Sequence, residues 1–416
     1  MERIVIQGSA PLRGEVSISG AKNSALPLMA ACLLTERPCR IENLPVLHDV
    51  KSFLDLLRGM GVQVESRGGS AELRADGLQR VEAPYDLVRK MRASVMVLGP
   101  LTARLGAAKV SLPGGCAIGV RPIDQHLKGL AALGAEIRLE GGYIHARAGR
   151  LKGAKIFLDL VTVTGTKNIM MAAALADGRT RIHNAAREPE VVQLAEVLGL
   201  MGAEVRGAGT DTVEVAGAPR LEGFEARIIP DRIEAGTYLL AGAVTGGDMC
   251  VTGVCPEHVG ALTGKLADAG MDLREEGGRI YLKGDRPIRA VDFQTAPYPG
   301  FATDLQAQMM VLLSLAEGTS VLSETIFENR FMHAGELRRM GADIQVEGAR
   351  AVVRGKGRLT GAEVMATDLR ASASLILAGL AAEGETTVNR VYHIDRGYER
   401  IVEKLSALGG RIQRVT

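Results

Sequence analysis

At 416 residues the chain is too long for one ordinary core and suits two domains of roughly 200 residues each. Apolar residues make up 46% of it but aromatics only 3%, with no Trp, so aliphatic side chains and alanine must fill the cores. Lysines and arginines number 50 against 48 acidic residues, and this net charge of +2 argues against nucleic-acid or membrane-surface binding. No window reaches about 18 uninterrupted apolar residues. The opening "MERIVIQGSAPLRG" lacks the basic-then-apolar layout of a signal peptide. A cytoplasmic enzyme is therefore expected. The cysteines (Cys32, Cys39, Cys116, Cys250, Cys255) form no CxxC pair, so neither a disulfide framework nor a zinc site is indicated.

Along the chain, six almost wholly apolar stretches read as interior helices: "SALPLMAACLL", "ASVMVLGPLTA", "NIMMAAALA", "TYLLAGAVT", "QAQMMVLLSLA" and "ASASLILAGLAA". Each is followed by a helix with charge on one side, such as "EPEVVQLAEVLGLM" or "YERIVEKLSAL", expected to pack outside. These second helices end in a repeated pattern of helix end, glycine, small residue and β-branched strand. Its glycines are Gly61, Gly134, Gly202, Gly270, Gly341 and Gly409, spaced by 73, 68, 68, 71 and 68 residues. Glycine suits a helix C′ position because it reaches positive φ without a Cβ clash. Short alternating stretches ("ARIIPDR", "AVVRGKG", "EVMATD") supply strands. The repeat predicts six βαβαββ-like units, three to a domain, in a two-domain α/β fold with helices inside and sheet outside.

The interior helices begin at Lys22-Asn23, Arg92, Thr166-Lys167-Asn168, Glu234, Thr303-Asp304 and Arg370. Helix N-termini carry unpaired N–H groups and partial positive charge, which makes them anion sites. Thr166, Asn168 and Thr303 read as caps. A cation there opposes the dipole, so Lys22, Arg92 and Arg370 point to a visiting anion. Arg104 and Arg350 fall outside any motif and read as surface charges.

The stretch "SLPGGCAIGVRP" sets a lone Cys116 among glycines with Arg121 five residues on. Alone it fits a packing thiol or a mobile lid equally. With "GEVSISGAKNSALP", "YDLVRKMRAS", "NAAREPE", "PDRIEAGT", "TDLQAQ", "FENRFMH", "ATDLRASAS" and "YHIDRGYER", in that order along residues 5–413, it resembles the UDP-N-acetylglucosamine 1-carboxyvinyltransferases, a family of enolpyruvyl transferases.

The resemblance implies an inside-out α/β barrel architecture of two domains, residues 22–230 and residues 1–21 with 231–416, with the active site in the cleft between them. It implies transfer of the enolpyruvyl group of phosphoenolpyruvate to the 3′-hydroxyl of UDP-N-acetylglucosamine, through a tetrahedral ketal, with no metal or cofactor. Its catalytic positions match Cys116, Asp304, Lys22 and Arg396. Asp304 takes the part of base, and Cys116 that of general acid and site of a covalent phosphoenolpyruvate adduct, sharing proton delivery with Lys22. Lys22, Arg121, Arg370 and Arg396, with Arg330 and Asp368 nearby, match positions that grip phosphoenolpyruvate, a task suited to bidentate cations. Asn23, Arg92, Arg121, Pro122, Ile123, Asp124, Gln125, Asp304 and Ile326 match the sugar-nucleotide pocket. Thr162, Val163 and Thr164 stand where uridine and diphosphate contacts are expected, although "LVTVTGTKN" departs from many relatives. His393 matches a place beside Arg396. Shikimate 3-phosphate is the rival acceptor, against which Cys116 and Asn23 speak. An RNA 3′-phosphate cyclase conflicts with the near-neutral charge.

Overall fold

The computed structural model describes every residue except 1, 9, 79, 84–91 and 113–122, and Arg92 by its backbone alone. Cys116, Arg121 and Pro122 thus lie outside the described residues. Contacts gather the chain into two compact units. The first comprises Gly20–Gly115 with Arg121–Ile229, and the second Met1–Ser19 with Pro230–Thr416.

Each unit carries three four-stranded sheets of one pattern. In the first sheet Cys39–Glu42 has a parallel neighbour, Glu225–Arg227, and an antiparallel one, Ser70–Arg74, which pairs onward with Gln63–Arg67. Gly68 and Gly69 join that hairpin with φ of 57° and 79°, a turn that needs left-handed backbone at both central positions. The pattern recurs in the second unit with one substitution of chain segment. In its last sheet the place of the returning hairpin strand is taken by Arg3–Gln7, antiparallel to both Glu385–Asn389 and Arg411–Val415. The opening strand thus completes the sixth repeat, as Glu225–Arg227 completes the first.

Six helices fill the interiors: α1 (Lys22–Ala31), α2 (Leu98–Leu105), α3 (Val163–Ala173), α4 (Arg232–Val244), α5 (Gln306–Ser314) and α6 (Leu369–Ala381). Every residue of α5, and every residue of α4 after Arg232, is buried. Strands such as Arg3–Gln7 and Arg279–Lys283 instead alternate between buried and exposed positions. Each buried Leu, Ile or Met contributes roughly 1.5–3 kcal/mol relative to exposure, so helices apolar on all sides belong only here. Each unit has its own hydrophobic core. All six repeat glycines adopt positive φ, between 91° and 108°, at the ends of the outer helices.

Three local expectations are corrected. Helix α3 starts at Val163, so Thr166, Lys167 and Asn168 lie inside it; Thr162 is the cap, accepting from the Gly165 N–H at 3.1 Å. Thr303 does not cap its helix either, and donates to Glu324 at 2.9 Å. Arg104 is no solvated charge: its guanidinium donates to the carbonyls of Leu33, Thr35 and Ala75 at 2.8–3.0 Å, closing the turn after α1. The outer helix Pro189–Leu200 is also more enclosed than its charges suggest, because buried Gln193 bonds Ser24, Arg227 and Ile229.

Candidate active site

In the first unit, Lys22 is the opening residue of α1, whose preceding Ala21 supplies no side-chain cap. The cation facing the dipole is answered within the chain: Lys22 Nζ lies 3.2 Å from the buried Asp49 carboxylate, in the first turn of the outer helix His48–Gly59. A second ammonium reaches the same helix start. Lys167, only 2% exposed, donates to the Asn23 carbonyl at 2.9 Å. Arg92 opens a short 3-10 turn, Arg92–Val97, ahead of α2.

The other positions of this unit expected to meet the sugar nucleotide cluster around the start of α3. Gln125 is buried and its amide is committed to the loop before α3, donating to Asp159 and accepting from the Asp159 N–H. Its neighbours differ: Ile123 precedes the helix Asp124–Ala132, and Asp124 is exposed at its first turn. Thr162 and Val163 are half-buried and Thr164 is exposed. Asn168 accepts from the Gly99 N–H and donates to the Val95 carbonyl and to His126 Nδ1. That leaves His126 Nε2 to donate to the Thr164 hydroxyl at 3.1 Å, so the Thr164 proton points elsewhere.

In the second unit, Asp304 sits in a 3-10 turn, Thr303–Leu305, directly ahead of α5. Arg330 donates to its Oδ1 and Arg370 to its Oδ2, each at 2.8 Å. The guanidinium groups are almost wholly buried while the carboxylate keeps 27% exposure. Burial works against the charge of Arg370, but Asp304 outweighs it and the group is held firmly protonated. As an acceptor-only group with partial exposure, the carboxylate is suited to take up a proton. Burial pushes His333, beside Arg330, down to about 4, so it stays neutral and adds no competing charge.

Asp368 is the N-cap of α6, accepting from Arg370 N at 2.8 Å and Ala371 N at 3.2 Å, so its carboxylate positions Arg370 by its backbone. Ile326 is held through its N–H by Glu324 Oε1 at 2.8 Å. Arg396 ends the 3-10 turn Val391–Arg396. His393, in the same turn, is shifted downward by desolvation and by the Arg396 charge, and its ring packs on Tyr392.

Sequence reasoning missed Asp49 and Glu324, and gave Lys167 only as part of a helix start. Glu324 is the most consequential, because one buried carboxylate accepts from Thr303, next to Asp304, and from the N–H groups of Ile326 and Phe327. Nothing in "LSETIFENR" marks it as buried, since an acid beyond a strand usually faces water. All four described thiols are shifted upward, Cys255 to about 11. Burial raises Cys32 and pushes Cys39 up to about 12.

This sequence matches the family described as EPSP synthase (3-phosphoshikimate 1-carboxyvinyltransferase) over residues 6–405. The chain belongs to the EPSP synthase family. Two curated relatives named UDP-N-acetylglucosamine 1-carboxyvinyltransferase, from Desulfosudis oleivorans and Halorhodospira halophila, are each 55% identical over 416 residues, covering 100% of both sequences. Among solved structures, the enolpyruvyl transferase NikO from Streptomyces tendae superposes with a TM-score of 0.90 at 28% identity, covering 100% of this chain and 99% of that one. An EPSP synthase from Acinetobacter baumannii shares the fold, at a TM-score of 0.78 and 20% identity over 100% of both chains. The two-unit, six-repeat α/β architecture is therefore that of the enolpyruvyl transferases.

Proposed function

We propose that this chain is a UDP-N-acetylglucosamine 1-carboxyvinyltransferase, which moves the enolpyruvyl group of phosphoenolpyruvate to the sugar 3′-hydroxyl and releases phosphate. The reaction opens peptidoglycan precursor synthesis. A carboxylate bracketed by two buried guanidinium groups carries the chemistry: Arg330–Asp304–Arg370 offers a proton acceptor beside cations suited to a phosphate and a carboxylate. The relatives, identical at 55% over full length, carry the choice of acceptor sugar.

In this reading the sugar oxygen bonds to C2 of phosphoenolpyruvate while its proton passes to Asp304. The methylene carbon takes a proton from Cys116, with Lys22 sharing delivery, and a tetrahedral ketal results. Loss of a proton from that same carbon then expels phosphate and restores the double bond. Lys22, Arg121, Arg370 and Arg396 neutralise the triply acidic substrate. Asn23, Arg92, Ile123, Asp124, Thr164 and Ile326 shape the nucleotide pocket. Cys116 is also the site at which phosphoenolpyruvate adds covalently and at which fosfomycin alkylates. Among the described residues no helix is long and apolar enough to cross a membrane. The sugar-nucleotide and phosphoenolpyruvate substrates place the reaction in the cytoplasm.

Phosphate release from phosphoenolpyruvate tests the assignment directly. Turnover with UDP-N-acetylglucosamine and none with shikimate 3-phosphate is the expected result, and the reverse preference overturns it.

A further inference from the structure

Behind Arg370 lies a buried polar network that the chemistry above does not use. Tyr398 is 2% exposed, and the Arg370 guanidinium stands 5.4 Å from its ring centroid. The Tyr398 hydroxyl is 2.9 Å from Thr237 Oγ1. Gln308 Nε2 lies 3.1 Å from both of those oxygens and donates to the backbone carbonyl of Asp304 at 3.0 Å. Three segments far apart in the chain therefore meet at one point: α4, α5 and the turn leading to the last outer helix.

The hydroxyl protons of this network follow from the acceptors within reach. Thr237 spends its hydroxyl proton on the Ile233 carbonyl, at 2.8 Å. Its oxygen must then accept from Tyr398, which makes Tyr398 the donor in that pair. The Tyr398 oxygen is left with lone pairs only for its other neighbours, the Gln308 amide and the Arg370 guanidinium. Burial pushes the phenol up from its ordinary range, so Tyr398 keeps its proton. The network ends as an acceptor behind the cation and as a donor beneath the carboxylate's own backbone. It holds both members of the Arg370–Asp304 pair.

We propose that Tyr398, oriented by Thr237 and Gln308, is a positioning residue that fixes the Arg370 guanidinium for phosphoenolpyruvate. This rests on the functional reading above, in which Arg370 meets that substrate. It assigns Tyr398 no contact with substrate. Its hydroxyl sets the direction of the fork, and its ring supplies a face for the guanidinium to lie on.

The test compares the full-length protein with Tyr398→Phe, Thr237→Val, Arg370→Lys and the Tyr398→Phe/Arg370→Lys double variant. Tyr398→Phe keeps the ring and removes only the acceptor. It is expected to raise KM for phosphoenolpyruvate about tenfold, the scale of one buried hydrogen bond to a charged group, and to leave KM for the UDP-sugar within about twofold. Thr237→Val, which removes the other end of the chain of protons, should shift the same constant in the same direction. In the double variant the two losses should combine to less than their product, because both act on one group. An unchanged phosphoenolpyruvate KM in both single variants, or losses that multiply in full, overturns the proposal.

Arginine-labelled protein gives a readout independent of turnover. NMR of the guanidinium nitrogens should show faster rotation at Arg370 in Tyr398→Phe, with Arg330 unaffected. Equal rotation in wild type and variant also overturns the proposal. If the wild-type protein releases no phosphate with either acceptor, the functional reading falls, and the rotation measurement still decides whether Tyr398 positions Arg370.

Discussion

The two units apply one repeat to opposite ends of an electrostatic problem. In the first, a cation opens an interior helix and a carboxylate from an outer helix answers it: Lys22 with Asp49. In the second, a carboxylate stands at the helix entrance and two buried cations answer it: Asp304 with Arg330 and Arg370. Helix dipole and local composition are alike, so topology does not dictate the sign of charge at a helix start. What differs is exposure. Asp304 keeps access to water while its partners do not, whereas Asp49 is the more buried member of its pair. The accessible group is available for proton transfer, and the enclosed groups serve to hold charge in place.

Removing the accessible carboxylate should therefore have the largest effect. Asp304→Ala is expected to cut kcat about 1,000-fold, in the range typical of a lost general base. By leaving two buried guanidinium groups facing each other it should also lower stability by about 3 kcal/mol. Steady-state kinetics and urea unfolding check the two parts, and a defect confined to affinity for the sugar nucleotide would demote Asp304 to a ligand contact. Cys116→Ala should cost about as much turnover in the same kinetic assay, as expected for loss of the proposed general acid. Fosfomycin should inactivate wild type faster when UDP-sugar is present, and labelling indifferent to the sugar contradicts a Cys116 thiol coupled to the bound sugar nucleotide.

A third experiment addresses stability in the second unit. Glu234 is buried beneath Lys404 and the Ser19 N–H, and desolvation, only partly offset by Lys404, pushes it up to about 7. The folded chain therefore holds a proton that the unfolded chain has lost. The stability from this group is complete below about pH 4.5 and drains away as pH rises through about 7. The loss between these limits should be about 3 kcal/mol, and Glu234→Gln should flatten it in denaturant titrations at pH 5 and 8. Identical slopes in the two proteins contradict the assignment. The smallest effect belongs to the first unit. Arg104→Met keeps the aliphatic stem but strands three carbonyls, costing about 2 kcal/mol in unfolding experiments while kcat stays within about twofold.

The parts of the fold legible in the sequence are those written in short-range chemistry. The six glycines, spaced 68–73 residues apart, all occupy left-handed backbone, and each marks one four-stranded sheet. Helices without a polar face proved interior because no surface position can accommodate them. Caps were less legible. Thr166 and Asn168 resemble caps in sequence, yet the helix begins three residues earlier, where Thr162 closes the turn. Single polar residues near a helix start suit several positions, and only the path of the preceding loop selects one.

What the sequence determined by itself was the repeat and the class of fold, because backbone preference and apolar periodicity act within a few residues; the candidates Lys22, Asp304, Arg330 and Arg370 came from the motifs that carry the family resemblance. What only the tertiary structure decided was how those residues are held: Asp49 beneath Lys22, Glu324 behind Thr303, and Tyr398 with Gln308 and Thr237 behind Arg370. The same is true of Arg3–Gln7 entering the last sheet. These partners are separated along the chain by tens to hundreds of residues. A buried polar group takes whichever complementary atom the packed core brings within about 3 Å, and no local pattern encodes that choice.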